Sequence, residues 1–210
     1  FLSRQHLYND FDSTDNLGRT SSLASFMAET ATRIVDSCQS HNHKDSYRIL
    51  EIGGGIGLLS IFVTEFLLQK GIKQVHYTHI DLPETSRFQH NLISDYCSGS
   101  ESCASTKTLI HPSKPISFSL LDTSSELPNC DYDCIINVMS MCEMDDVNAL
   151  KYVEYINRSC RLGGLVFFSN CYGMATNSIC DVPDYPFSSF FRLLHAYLDS
   201  PTSSLQDEYS

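Results

Sequence analysis

Residues 48–62 read RILEIGGGIGLLSIF, in which an apolar run enters a cluster of glycines and a second apolar run leaves it. β-Branched residues in the first run suit a buried strand, and the second run has the three- and four-residue spacing of a helix. Glycine permits positive φ between them, and the amides that open a helix are unpaired donors. This strand, turn and helix can therefore bring a ligand close to bare backbone. The glycines of the turn are Gly53, Gly54, Gly55 and Gly57.

Three kinds of nucleotide site compete for this turn. A P-loop needs a Gly-Lys-Ser/Thr ending, whereas Gly57 is followed by two leucines, so that interpretation fails. A dinucleotide fingerprint needs a third glycine where Leu58 stands, so that interpretation is weakened but stays open. The third pattern is an acid before the turn, Glu51, with glycines at alternate positions. A glycine-rich turn in an unrelated α/β protein is the remaining alternative.

Length and charge limit the class of protein. The 210 residues suit one domain with small extensions, and because the chain starts at Phe1 we expect a fragment. Fourteen basic and 25 acidic residues give a net charge of −11 with no basic cluster, so we expect no nucleic-acid partner. No apolar stretch approaches the roughly 20 residues of a membrane span, so we expect a soluble protein without a membrane partner.

The number and spacing of the cysteines indicate the redox state of the protein's compartment and argue against a structural metal site. Nine cysteines, an odd number, include no Cys-x-x-Cys pair, so we expect a reducing, cytoplasmic environment without disulfides or structural zinc. His41 and His43 lie in a polar loop with no third ligand nearby, and a solvated loop explains them. We therefore predict no bound metal.

The second predicted strand, residues 73–80, ends at Asp81. An acid just past the second strand of a βαβ unit lies beside the glycine turn, where its carboxylate can accept both hydroxyls of a ribose. Leu82 is then placed against the adenine face. Pro83 suits the first turn of a helix that runs to about Tyr96.

The rest of the chain predicts a doubly wound, mainly parallel α/β sheet, because strands alternate with helices. Residues 20–37 form a helix, Ser-rich residues 97–115 a surface insertion, and residues 116–121, 134–138 and 165–169 three further strands, with Asp122 after the first of these. A helix from Asp145 or Asp146 to about Arg161 turns Val147, Leu150, Val153 and Ile156 inward. The predicted domains are a helical extension (1–46), a core (47–170) and a partial C-terminal segment (171–210) with a short final helix, in which further strands are missing.

Two patterns resemble the motifs of class I S-adenosylmethionine-dependent methyltransferases: Leu50-Glu51-Ile52-Gly53 with its alternate glycines, and the succession of Asp122 after a strand, Leu127-Pro128, and the aromatic-Asp pair Tyr132-Asp133 before the next strand. The resemblance implies a Rossmann-like methyltransferase fold with S-adenosylmethionine as cofactor. It implies that Glu51 helps to hold the methionine end, that the glycines let the cofactor lie across the strand ends, and that Asp122 meets the adenine amino group. A turn or cap residue is the equal alternative for Asp122.

Two passages, residues 80–84 (IDLPE) and 136–144 (INVMSMCEM), are similar to the sugar O-methyltransferase family. This similarity covers residues 48–170 and implies methylation of a small-molecule oxygen, in a sugar or glycosylated metabolite ahead of other acceptors. A base must lie near the methyl group, and Glu143 is the candidate, with Asn137 or Ser140 orienting the acceptor. A solvated carboxylate at the start of a helix explains Glu143 equally well.

Two other functions compete with this one. The first is a methyltransferase-like fold without catalysis that serves as a binding subunit. The second is a nicotinamide-dependent oxidoreductase, which predicts a third glycine and a Tyr/Lys or His catalytic group that the sequence does not display. The sequence predicts no oligomeric state.

Overall fold

A single six-stranded sheet forms the centre of the computed structural model, which describes residues 17–41, 44–97, 108–169, 185–189 and 191–192. The strands are β1 (Ser46–Ile52), β2 (Gln74–Asp81), β3 (Thr108–Ile110), β4 (Ile116–Asp122), β5 (Tyr132–Val138) and β6 (Cys160–Ser169). They lie in the order β3-β4-β2-β1-β5-β6, and all neighbours are parallel except β3 and β4. Strands β2, β4 and β3 lie on one side of β1, and the later strands β5 and β6 lie on its other side. This order confirms the predicted doubly wound, mainly parallel α/β fold.

Within the described ranges, four α-helices cover the two faces of this sheet: α1 (Leu17–His41), α2 (Leu58–Gln69), α3 (Pro83–Tyr96) and α4 (Asp146–Ser159). Successive side chains of a strand point to opposite faces. Accordingly Ile49 of β1 packs in a core cluster with α1, α2 and α3, while Leu50 packs with α4 on the other face. Because both faces are covered, β1 is buried along nearly its whole length.

The ends of several elements differ from the sequence prediction. Helix α1 extends beyond the predicted residues 20–37, and β6 begins at Cys160, five residues before the predicted start of that strand. The predicted surface insertion contains a strand, β3, which pairs antiparallel with β4. No strand follows β6 among the described residues. Residues 1–16 and nearly all of 171–210, including most of the predicted final helix, lie outside them.

The buried face of α4 was predicted wrongly in part. Val147 is 78% exposed and Leu150 is also exposed, although both were expected to point inward. Val153 and Ile156 are buried as predicted. The buried stripe also includes Ala149 and Tyr152, so its spacing follows the helical period better than the predicted steps of three.

The amino edge of the sheet is fixed by Asp133 at the start of β5. Its carboxylate accepts hydrogen bonds from Lys44, from the Arg161 guanidinium at 2.7 Å and from the backbone amide of Arg48 at 2.8 Å. Burial works to raise the pKa of Asp133, but these donors bring it below its ordinary value. The ion pairs join the segment before β1 to β5 and β6, at the edge opposite the glycine turn.

No helix within the described ranges is long and apolar enough to cross a bilayer.

Candidate functional site

The glycine turn joins the carboxyl end of β1 to the start of α2. Gly53, Gly55 and Gly57 have φ values of +72°, +56° and +87°, which a residue with a Cβ adopts only with strain. The amide of Gly53 donates to the carbonyl oxygen of Ile80 at 2.8 Å, which ties the turn to the end of β2. The turn lies next to the point between β1 and β5 where the sheet changes its direction of growth. Ligands of open α/β sheets bind at such points.

The four glycines of the turn differ in what surrounds them. A Cβ on Gly53 would lie 2.1 Å from the side chain of Ser140, and one on Gly57 would lie 3.3 Å from Ile93 Cδ1. A Cβ on Gly54 would meet the side chains of His79 and Glu51 at 2.8 and 2.9 Å. These three glycines therefore make room for the protein's own side chains.

Gly55 is the exception, because a Cβ placed there would meet nothing within 4 Å. Its positive φ and the open space beside it make this the place where a ligand can approach the backbone of the turn.

Asp81, the last residue of β2, lies directly against the turn. Its Oδ2 accepts from the amide of Gly55 at 2.9 Å and from Gln89 Nε2 at 3.0 Å, and its Oδ1 accepts from the amide of Leu82 at 2.7 Å. Burial raises the pKa of Asp81 above its ordinary value, although these hydrogen bonds oppose the shift. The βαβ geometry thus brings Asp81 to the glycine turn as predicted, while its binding of a ribose stays a prediction.

Apolar side chains are left uncovered around the turn. Leu82, directly after β2, is 57% exposed, and Ile56 within the turn and Met139 after β5 are also exposed. All three lie at the carboxyl edge of the sheet. Such an edge can receive the flat apolar face of a ligand, and the contact of Leu82 with an adenine ring stays a prediction.

Glu51 lies behind the turn, in the core. Its side chain is 2% exposed, and its Oε2 accepts a hydrogen bond from the Tyr77 hydroxyl at 2.9 Å and lies 3.4 Å from His79 Nδ1. Burial raises the pKa of Glu51 to about 7, against the effect of the Tyr77 hydrogen bond. Burial also lowers the pKa of His79 to about 3, so this histidine is neutral at ordinary pH, as expected for a packed core residue. Contact of Glu51 with the methionine end of a cofactor stays a prediction.

Asp122 ends β4 and stands opposite Asp81 in the β2–β4 register. Its Oδ1 accepts from the amide of Ser124 at 3.0 Å and from the hydroxyls of Ser124 and Ser125. These are the hydrogen bonds of an Asx turn, so the geometry supports the turn interpretation of this residue. The predicted contact with an adenine amino group remains untested.

Asn137 and Ser140, the two alternatives for orienting an acceptor, both bind the last residue of β1, just before the glycine turn. Asn137 is 1% exposed, and its Nδ2 donates to the carbonyl oxygen of Ile52 at 2.8 Å and to Ser140 Oγ. Ser140 Oγ donates to the same carbonyl at 2.8 Å. In this arrangement the amide of Asn137 is buried against the end of β1, and its role in orienting an acceptor stays a prediction.

Glu143, the predicted base, ends a short 3₁₀ helix (Met141–Glu143) after β5 and has an exposed side chain. Its amide donates to the carbonyl oxygen of Ser140 at 3.1 Å, so the 3₁₀ helix is attached to the segment that contacts the glycine turn. Its action as a base stays a prediction.

Two features of this edge were not predicted from the sequence. Met139 has a φ of +58° without being glycine, and the Ser140 side chain fills the space where Gly53 would carry a Cβ. In the sequence, the spacing of Asn137 and Ser140 points to this segment, but it does not predict the conformation of Met139 or the contact with Gly53. Within the described ranges, no group of three His, Cys, Asp or Glu side chains could hold a metal ion.

Comparison with known proteins gives only a loose similarity to solved structures. No protein-family model matches the chain, and no curated protein matches it. A proposed class I S-adenosylmethionine-dependent methyltransferase from Listeria monocytogenes is 16% identical with a TM-score of 0.47, over 65% of this chain and 43% of that one. PKMT2 from Rickettsia typhi, solved with S-adenosylhomocysteine, is 15% identical with a TM-score of 0.45, over 65% of this chain and 23% of that one.

A third structure, mitomycin 7-O-methyltransferase, is 12% identical with a TM-score of 0.43, over 76% of this chain and 42% of that one. The chain thus spans less than half the length of these three solved proteins. At such values the fold assignment rests on the strand order of the chain itself.

Proposed function

We propose that this chain is the cofactor-binding part of a class I S-adenosylmethionine-dependent methyltransferase that methylates an oxygen of a small molecule. One observation carries the proposal: Gly55, the open glycine of the turn, donates its amide to Asp81 at 2.9 Å at the carboxyl edge of the sheet. Bare backbone and a carboxylate therefore lie side by side. This is the pairing that an adenosine needs, because the carboxylate can accept ribose hydroxyls while the glycine leaves space for the ligand.

The surroundings of this pair fit S-adenosylmethionine. Leu82 and Ile56 offer exposed apolar surface for the adenine ring, next to the carboxylate of Asp81. When bound, the cofactor supplies a methyl group made electrophilic by its sulfonium. The chain has to hold the acceptor in line with that group and remove a proton from a hydroxyl. Glu143 is the candidate base that would accept this proton, because its side chain is exposed and it follows β5 at the same edge of the sheet.

The acceptor class is inferred from charge and from the similarity of residues 80–84 and 136–144 to sugar O-methyltransferases. Asp81, Asp122 and Glu143 all end or follow strands at the carboxyl edge. An edge of this sign disfavours phosphorylated and other anionic acceptors. A neutral sugar or glycosylated metabolite is therefore the first acceptor class to test.

A second candidate function is a non-catalytic binding subunit of methyltransferase-like fold. The burial of Asn137, which leaves Glu143 as the one predicted catalytic side chain that is exposed among those described, favours this alternative. Turnover of an acceptor separates the two functions, whereas cofactor binding does not.

Isothermal titration of the purified chain with S-adenosylhomocysteine, with NAD as the control ligand, tests the proposal. Saturable binding of S-adenosylhomocysteine without binding of NAD is the expected result, and it justifies an acceptor screen that begins with sugars. Binding of NAD alone supports the nicotinamide-dependent alternative. Binding of neither ligand contradicts the proposed cofactor.

A matched pair of variants tests the location of the site. Gly55→Val and Gly71→Val each place a β-branched residue at positive φ, +56° and +90°, where a Cβ has nothing within 4 Å. Each should therefore cost about 1–2 kcal/mol of stability through backbone strain. Only Gly55→Val should also abolish binding of S-adenosylhomocysteine, because Gly71 follows α2 at the opposite edge of the sheet. Equal affinities of the two variants would show that the site is misplaced.

A further inference from the structure

The turn between β1 and α2 is in close contact with the turn that follows β5. A Cβ on Gly53 would lie 2.1 Å from both Cβ and Oγ of Ser140 and 3.6 Å from its Cα. Real Cβ atoms do not approach other atoms so closely. The Ser140 side chain therefore occupies the space beside Gly53, and any larger residue at position 53 would have to displace it.

Hydrogen bonds hold Ser140 in this position. Its Oγ donates to the carbonyl oxygen of Ile52 at 2.8 Å and accepts from Asn137 Nδ2, which donates to the same carbonyl at 2.8 Å. Ile52 is the last residue of β1, so both side chains attach to the carbonyl at which the glycine turn begins. Two donors on one carbonyl, one buried and one half-buried, restrict the orientation of the peptide that follows.

The backbone around Ser140 is specialised for this contact. Met139 has a φ of +58°, a conformation that is unfavourable for a residue other than glycine. Its amide donates to the carbonyl oxygen of Ser169 at the end of β6, at 2.6 Å. This conformation turns the chain after β5 and brings Ser140 over Gly53.

The opposite side of the glycine turn is held by β2. The amide of Gly53 donates to Ile80 and that of Gly55 donates to Asp81. The turn is thus fixed between β2 on one side and residues 137–140, at and just after the end of β5, on the other. The β2 side contains Asp81, the residue predicted to bind the ribose, while the β5 side continues along the chain to Glu143.

We infer that Ser140 is a positioning residue for the cofactor: it holds the glycine turn in the shape in which the backbone of Gly55 faces the bound ligand. This inference rests on the proposed function. Ser140 need not touch the cofactor, since it acts through Gly53 and the carbonyl of Ile52. The inference predicts that the effects of substitutions at positions 53 and 140 on cofactor affinity depend on each other.

A double-mutant cycle tests this coupling, with the dissociation constant of S-adenosylhomocysteine measured well below the melting temperature of each variant. Gly53→Ala should weaken binding more than about tenfold, because the new methyl group pushes against Ser140 and distorts the turn. Ser140→Gly should weaken binding about fivefold, because both hydrogen bonds of the Ser140 hydroxyl are lost. The double variant should bind about as well as Ser140→Gly alone, because the alanine then fills the space that Ser140 leaves.

Gly55→Ala is the matched control, since it also places an alanine at positive φ but has no neighbour within 4 Å. Its effect on affinity should add to that of Ser140→Gly without coupling. Ser140→Thr, which keeps the Oγ, should retain more affinity than Ser140→Ala. A purely structural role would lower the melting temperatures while leaving the dissociation constants of the folded variants unchanged.

The outcomes separate this inference from the proposed function. A parent chain that binds no S-adenosylhomocysteine overturns the proposed function and this role with it. The positioning role alone is overturned if the parent chain binds S-adenosylhomocysteine and the Gly53→Ala and Ser140→Gly variants bind it as tightly as the parent does. It is also overturned if the effects of the two substitutions on affinity are independent of each other.

Discussion

At the scale of single residues, the buried pair Glu51 and His79 makes stability depend on pH in two opposite directions. Burial raises the pKa of Glu51 from 4.5 to about 7, so the folded state keeps a proton that the unfolded state releases. Stability is therefore lost as pH rises from 4.5 through about 7. Burial lowers the pKa of His79 from 6.5 to about 3, so the unfolded state takes up a proton that the folded state refuses, and stability is lost as pH falls through that window.

The two effects oppose each other between pH 4.5 and 6.5, and the effect of Glu51 alone remains above that range. Glu51→Gln keeps an acceptor for the Tyr77 hydroxyl and removes the ionisation. We expect the parent to lose stability between about pH 6 and pH 8 while the variant does not, which makes the variant more stable by about 1–3 kcal/mol at pH 8. Urea denaturation across this range measures the difference.

The control for this prediction is Glu154→Gln, which removes a carboxylate from the exposed face of α4. It should keep the pH dependence of the parent. If Glu51→Gln retains that dependence too, Glu51 does not ionise in the way that its burial implies.

At the scale of elements, α4 shows why a sequence pattern identified the helix but not its buried face. At 3.6 residues per turn, a step of three residues falls about 60° short of a full turn. The predicted stripe through Val147, Leu150 and Val153 moves around the helix by that angle at each step. The structure buries Val153 and Ile156 together with Ala149 and Tyr152, and it leaves Val147 exposed.

Val147 and Val153 therefore form a matched pair within one helix. Val153→Ala should cost about 2 kcal/mol of stability, because it removes two buried methyl groups from a side chain that is 1% exposed. Val147→Ala, the same change at an exposed position, should alter stability by less than about 0.5 kcal/mol. Thermal or urea unfolding of the two variants measures this difference, and equal losses would contradict the observed orientation of α4.

Other elements show which structural features the periodicity of apolar residues can predict and which it cannot. The parallel strands and their helices were predictable because each run is long enough to show its period, whereas β3 has three residues and follows a Ser-rich stretch. The position of Asp81 beside the turn follows from βαβ geometry. The contact of Ser140 with Gly53 could not be predicted, because it joins residues 87 positions apart through the unpredicted conformation of Met139.

At the scale of the whole molecule, charge is distributed unevenly between the two edges of the sheet. Among the described residues, the charged side chains that first follow β2, β4 and β5 are all acidic, whereas four bases lie together with Asp45, Asp131 and Asp133 just before strands or at their start. The acids are Glu84, Glu126 and Glu143, after Asp81 and Asp122 at the strand ends, and the bases are Lys44, Lys73, Lys114 and Arg161. The carboxyl edge, which contains the glycine turn, therefore favours cationic ligands.

This polarity predicts a difference between two ligands of almost the same shape. S-adenosylmethionine carries a sulfonium charge that S-adenosylhomocysteine lacks. Salt screens attraction between exposed charges, so raising NaCl from about 0.05 to 0.5 M should weaken S-adenosylmethionine binding about threefold to fivefold. The same change should alter S-adenosylhomocysteine binding by less than about twofold.

A pair of variants assigns this effect to one edge of the sheet. Glu143→Gln removes a negative charge after β5, and Asp45→Asn removes one just before β1, at the opposite edge. Because attraction falls with distance, Glu143→Gln should weaken S-adenosylmethionine binding at low salt and reduce its salt dependence, while Asp45→Asn should leave both unchanged. Isothermal titration at the two salt concentrations measures each constant. Equal salt dependence for the two ligands would show that the acidic edge does not contribute to binding of the sulfonium.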